Sequence, residues 1–190
     1  MSTETTHPLE AEDLPAVGVW ELDPAHTTAE FIARHILTKV RGRFEKVSGA
    51  ITVADPPENS HVEVEIDAAS IRTGTGDRDD HLRGADFLEV EKFPTLTFSS
   101  TALRHTGGNT FQLDGDLTIK DITRRVTLDV EFLGVSDTPF GTKVTGFSAT
   151  TEIDRHDWDV TWNVAIETGG WLVGRKVEIA LEIEAIYQTE

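Results

Sequence analysis

His81 follows Arg78, Asp79 and Asp80, and an imidazole beside carboxylates is how a general base with an orienting acid is built. The chemistry it would support is hydrolysis, with Asp79 or Asp80 holding the ring of His81. No Ser, Cys or further acid stands at a recognisable spacing from it. Asp77 and Asp79 also read as the acidic first turn of a helix, capping free N–H groups at its positive end. Metal chemistry would have to draw on His26, His35, His81 and His156, each alone in sequence, with no His-x-His or His-Glu-x-x-His pair. No metal and no cofactor is expected. The stretch from Gly169 to Lys176 imitates a phosphate-binding loop, but Arg175 stands where Lys is needed and Lys176 where Ser or Thr would hold magnesium. A strand pattern follows it rather than a helix, so no helix N-terminus would face a phosphate. Trp158 and Trp162, flanked by Asp157 and Asp159, suit the mouth of a cavity, where amphipathic rings sit between apolar interior and water. They suit simple packing of a barrel end equally well.

The elements that must position these groups show period two. Val62, Val64, Ile66 and Ala68 alternate with Glu63, Glu65 and Asp67, and Val126, Leu128, Val130 and Phe132 with Thr127, Asp129 and Glu131. Val177, Ile179, Leu181, Ile183, Ala185 and Tyr187 repeat the pattern near the C-terminus. Such alternation means antiparallel sheet with one wet and one dry face. Strands are expected near 18–23, 27–34, 43–54, 61–68, 94–104, 110–120, 122–135, 144–155 and 175–188, about eight or nine in all. One or two short helices are expected, near 35–40 and 77–90, the second closed off by Pro94. The pattern alone does not choose between a barrel and a sandwich with a filled core.

Composition narrows the function classes. With 190 residues the chain suits one domain, and a net charge of −17 excludes the basic footprint that nucleic acid requires. That charge also disfavours docking on anionic lipid, though transient membrane contact and a homodimer stay open. There is no cysteine, hence no thiol chemistry. Residues 1–18 read as a flexible acidic arm, with Glu4, Glu10, Glu12 and Asp13 and no Lys or Arg, followed by a domain over 19–190. The arm lacks the positive start and apolar run of a secretory signal, so a cytoplasmic location is expected.

Several motifs occur in a shared order. Arg78-Asp79-Asp80-His81-Leu82, Asp86-Phe87 and the strand from Pro94 through Phe98 to Thr101 are preceded by Trp20 to His26, Phe31 to His35 and Val40 to Phe44. Gly115 to Lys120, Arg124 to Leu128, Gly146 to Ala149 and Ile153-Asp154-Arg155 follow. Together they resemble the YceI-like family, lipocalin-fold proteins that bind polyisoprenoids, over residues 19–187. Two positions depart from the family's pattern: Asp159 where a Gly usually follows the aromatic, and Arg175 where an acid is common.

The resemblance implies an all-β, eight-stranded antiparallel lipocalin-like barrel. It also implies a non-catalytic carrier or store holding a long-chain isoprenoid lipid, such as a polyprenyl phosphate or an isoprenoid quinone. Strand parity then puts Phe31, Phe44, Ile66, Phe98, Leu117, Leu128, Phe132 and Phe147 on the lining, with His35, His81, Trp158 and Trp162 near the ends. Two alternatives remain: a lipid-processing hydrolase using His81 with Asp79 or Asp80, and a non-binding, stress-associated domain with a filled core.

Overall fold

The computed structural model describes residues 14–189, so residues 1–13 of the expected arm lie outside the described residues. The strands are β1 (Gly18–Leu22), β2 (Thr28–His35), β3 (Thr38–Phe44), β4 (Val47–Val53), β5 (His61–Asp67), β6 (Ile71–Arg72), β7 (Thr95–Gly107), β8 (Thr110–Ile119), β9 (Ile122–Asp137), β10 (Lys143–Asp154) and β11 (Val173–Tyr187). A single helix of α type among the described residues, α1 (Gly76–Arg83), lies between β6 and β7. All pairings are antiparallel, and β1 pairs with both β4 and β11, which closes the sheet.

Eleven segments fill eight positions around the ring, because three positions hold a broken strand. β1 and β2 share one edge of β11, β1 against Ala185 to Tyr187 and β2 against Val173 to Glu182. On the other side β1 meets β4 and β2 meets β3, while β5 meets β4 and β6 meets β3. The pairs β1/β2, β3/β4 and β5/β6 therefore each act as one strand, and β7 to β11 supply the rest. The first break is held by Glu184 of β11, whose carbonyl accepts the Asp23 N–H (2.8 Å) and the Thr27 hydroxyl (3.1 Å). The expected eight-stranded barrel is present, and closure leaves it no open edge along these eight positions.

The helix expected near 35–40 is instead the β2–β3 hairpin, with Ile36 turning the chain at φ 51°. Pairing between Ala29–His35 and Thr38–Phe44 and between His35 and Val173 outweighs the weak local helical spacing. The second expected helix is shorter than 77–90: α1 stops at Arg83, and turns carry the chain from Gly84 to Pro94. Neither Asp77 nor Asp79 caps an N–H of the helix, whose N-cap position is Thr75; the buried carboxylate of Asp79 instead accepts the N–H (2.8 Å) and hydroxyl (2.6 Å) of Thr73, tying the helix start to the preceding loop. Asp159 has φ 56°, ψ 27°, a left-handed conformation that suits Gly and that Asp tolerates. Arg175 pairs with Asp154 at 2.7 Å, so both departures from the family pattern are accommodated locally.

Candidate ligand-binding cavity

The inward faces of the strands do not meet. They enclose a cavity of about 610 Å³ that runs the length of the barrel. At roughly 30 Å³ per water molecule this is room for about twenty, far beyond the small voids of a packed core. The cavity explains why Phe31, Phe98, Leu117 and Phe147 remain partly accessible although they point inward. One end is bounded by Leu14 to Val17 and the β4–β5 connection, the other by Leu82 of α1, Phe87, Leu88, Arg155, Trp158 and Val160.

Close approaches shape the wall. At Gly115 a Cβ would lie 2.3 Å from the Phe98 ring and 2.8 Å from the Ser99 carbonyl, so only glycine lets that ring lie flat against β8. Phe132 and Phe147 pack as a tilted pair with centroids 5.5 Å apart, and Phe31 and Phe44 at 6.0 Å.

Of the residues expected at the site, Phe31, Phe44, Ile66, Phe98, Leu117, Leu128, Phe132, Phe147 and Trp158 line the cavity. Trp158 is fully enclosed and donates its indole N–H to the Leu117 carbonyl (3.1 Å). His81 and Trp162 do not touch the cavity. They stack edge-on (4.7 Å) outside Phe87, which both rings contact, forming a second layer over that end. His35 is exposed at the end of β2 and is not part of the wall. Alternation also points to Ile179, Leu181 and Ile183 of β11, which line the cavity as fully as the residues singled out.

The wall also carries a charge. Arg155 is buried at the helical end, and its guanidinium donates to the carbonyls of Gly174 (2.9 Å), Val160 (2.6 Å), Trp162 (3.0 Å) and Val173 (3.4 Å). Burial lowers its pKa, an effect the neighbouring Asp154 opposes. No sequence signal shows burial of an Arg, so its role as a staple between the β10–β11 connection and β11 becomes visible only in three dimensions.

The hydrolytic arrangement does not form. His81 bonds to Asp86 (2.9 Å), not to Asp79 or Asp80, and Asp80 is taken by Arg83 (2.9 Å). A different chain has the connectivity of a hydrolytic triad: Ser100 Oγ lies 3.1 Å from His61 Nδ1, and His61 Nε2 lies 2.7 Å from Glu63. Ser100 is buried, accepts the Val62 N–H (2.8 Å) and is absent from the cavity wall. These hydrogen bonds tie β5 to β7 beside the irregular pairing after Ser100.

One group of three potential metal ligands occurs among the described residues, Asp23, His26 and Glu184, at the break between β1 and β2. His26 Nδ1 donates to Asp23 (2.8 Å), which lowers the carboxyl pKa and raises that of the imidazole. His35, His81 and His156 do not join it. A raised His pKa stabilises below the ordinary value near 6.5 and is lost as pH rises through the higher folded value. A lowered Asp pKa stabilises above its ordinary value near 3.8 and is lost as pH falls through the lower one. The pair is therefore expected to add stability between about pH 4 and 6.5. Unfolding midpoints of wild type and Asp23→Asn across pH 3 to 9 would check it; parallel curves would refute the linkage.

The YceI-like domain model matches residues 20–185. A UPF0312 protein of Ectopseudomonas mendocina is 36% identical over 167 residues, covering 86% of this chain and 83% of that protein. A UPF0312 protein of Staphylococcus aureus is 36% identical over 166 residues, covering 85% and 94%. The crystal structure of a Campylobacter jejuni YCEI protein superposes with a TM-score of 0.71 at 26% identity, covering 82% of this chain and 90% of that one. Two further structures share the fold: Burkholderia cenocepacia BcnA (TM-score 0.74, 24% identity, 86% and 99% covered) and a polyisoprenoid binding domain from Saccharophagus degradans (0.66, 14%, 91% and 100%). A family match across nearly the whole barrel and relatives of this identity lead to one conclusion: the chain belongs to the YceI-like family.

Proposed function

We propose that this protein binds a long-chain isoprenoid lipid, a polyprenyl phosphate or an isoprenoid quinone, and carries or stores it without altering it. The observation that carries the reading is the continuous apolar cavity of about 610 Å³. If a methylene occupies about the volume of a water molecule, roughly twenty fit, equivalent to about four isoprene units. Each buried methylene contributes on the order of 0.8 kcal/mol, so twenty give about 16 kcal/mol gross. Association costs on the order of 4–15 kcal/mol, so a chain half that long would be nearly cancelled while this length leaves a useful surplus. Length thus substitutes for polar contacts. The Saccharophagus degradans domain of the same fold is a polyisoprenoid binding domain, which agrees with this ligand class.

Native mass spectrometry of protein purified from its own host, followed by organic extraction, tests the proposal. A co-purifying lipid of several isoprene units is expected; an unbound protein that also fails to take up an added polyprenyl chain would refute it. Turnover is tested by His81→Ala and His61→Ala. Both variants are expected to retain ligand within about threefold of wild type, since neither ring lines the cavity. A lipid hydrolase activity removed by either change would replace the carrier reading with an enzymatic one.

A further inference from the structure

The β2–β3 hairpin contradicts the chain's overall charge. Residues 31–44 carry Arg34, Lys39, Arg41 and Arg43 and no acid, in a chain of net charge −17. At its tip Leu37 is 84% exposed and Ile36 46%, and beside them Trp171 is 64% exposed and Val164 47%. These four are held on one rim by backbone bonds: Ile36 N–H to Leu172 O (2.9 Å), Leu172 N–H to Val164 O (2.9 Å), and a bridge between Ala165 and Trp171. Asn163 fixes the same loop through both backbone groups of Val173 (2.7 and 2.9 Å), and Val173 lines the cavity.

We infer that this rim, the β2–β3 tip with Trp171 and Val164, docks on the surface of a bilayer containing anionic lipid. Exposed aliphatic tips with a tryptophan enter the interface, and cations behind them meet the headgroups. Two of the four cations are paired: Arg43 faces Glu45 (3.6 Å), and Lys39 donates to Glu178 (2.8 Å), whose pKa this hydrogen bond lowers, with Arg41 and Arg34 adding to the effect. Arg34 and Arg41 form no ion pair among the described residues, so the patch keeps a positive balance. The other large exposed ring, Phe140 on the β9–β10 connection, lacks this complement, since its neighbour Lys143 faces Asp137 (3.7 Å). Among the described residues no helix is long and apolar enough to cross a membrane. The inference rests on the lipid-binding reading only for its purpose: the docking rim adjoins the helical end of the cavity, whose wall includes Val173.

Flotation with vesicles tests it, using the ligand-free full chain. Wild type is expected to float with phosphatidylcholine–phosphatidylglycerol vesicles at low salt, far less with phosphatidylcholine alone, and progressively less as salt is raised. Leu37→Asp should reduce binding about tenfold or more, and Arg34→Glu with Arg41→Glu by a similar factor. Both sites are exposed, so unfolding midpoints should not move, which separates docking from folding. Failure of wild type to float, or equal flotation of Leu37→Asp, would overturn the inference. So would a dimer in sedimentation that depends on Leu37, because the rim would then be an interface between copies. Uptake of a polyprenyl chain from dilute detergent by Leu37→Asp is measured in parallel. It should match wild type, and its failure in both proteins would count against the cavity reading and not against docking.

Discussion

Leu181→Glu is expected to weaken binding of a polyprenyl ligand at least 100-fold at neutral pH, about 2.8 kcal/mol. Leu181 pairs with Ala29 on one side and Ala149 on the other, two small buried residues, so its side chain stands out into the middle of the cavity. A carboxylate there would have to be desolvated against hydrocarbon, which costs more than the lost leucine contacts. The site relieves that cost by protonation, so affinity should recover partly as pH falls below the carboxyl's raised pKa. The next residue, Glu182, points outward and accepts the Ser148 hydroxyl (2.9 Å). Glu182→Gln keeps an acceptor and should bind as wild type does. Ligand retention measured by mass spectrometry, beside an unfolding curve for each variant, decides the matter. If Leu181→Glu lacks a folded baseline, Leu181→Ser provides a neutral probe expected to lose about tenfold. Unchanged retention in a folded Leu181→Glu protein would place the ligand outside the barrel.

The alternation behind this effect also makes the walls legible in the amino-acid sequence. A strand has period two, so an inward Phe132 fixes Leu128 and Val130 with it, and all three line the cavity. Parity holds only between irregularities, since the shift after Ser100 puts both Phe98 and Leu103 of β7 on the cavity wall, and it carries no information about where a strand breaks. The Glu45–Lys46 break between β3 and β4 rests on the backbone and hydroxyl of Ser70, 25 and 24 residues away (3.2 and 3.1 Å), and no local pattern reports that. The hairpin at Ile36 escapes a local reading for the same reason, since its decisive partner, Val173, lies across the chain. His81 shows the limit for site residues. Its neighbours Asp79 and Asp80 in sequence turn away to Thr73 and Arg83, and its actual partner, Asp86, comes from the turn after the helix. The void itself depends on volumes summed over eight strand positions, a quantity that no single segment encodes.

Arg155→Met is expected to destabilise the fold by about 3–5 kcal/mol. The arginine holds the β10–β11 connection to the barrel from inside, through the carbonyls of Val160, Trp162, Val173 and Gly174. Methionine fills much of the space and removes a buried charge, which offsets part of the loss. Val173 keeps the Asn163 donor (2.7 Å), so at most the carbonyls of Val160, Trp162 and Gly174 are left without one, at roughly 1–3 kcal/mol for each that water cannot reach. Lysine should not rescue the fold, because its single ammonium lacks the planar fork that spans carbonyls on two segments. For a chain of this length 1 kcal/mol moves the melting temperature by about 2–4 °C, so a drop of roughly 10 °C is expected. Arg175→Met is the control: it breaks only the exposed pair with Asp154 (2.7 Å) and should cost no more than about 1 kcal/mol. Chemical denaturation of the three variants beside wild type provides the comparison. Were Arg155→Met to fall within 1 kcal/mol of wild type, the staple would be dispensable, and Asn163, with its two bonds to Val173, would have to hold the loop alone. If the larger loss is found, it comes from losing a support of the cavity wall, where carbonyls pinned by one buried cation do what packed side chains do in a filled core.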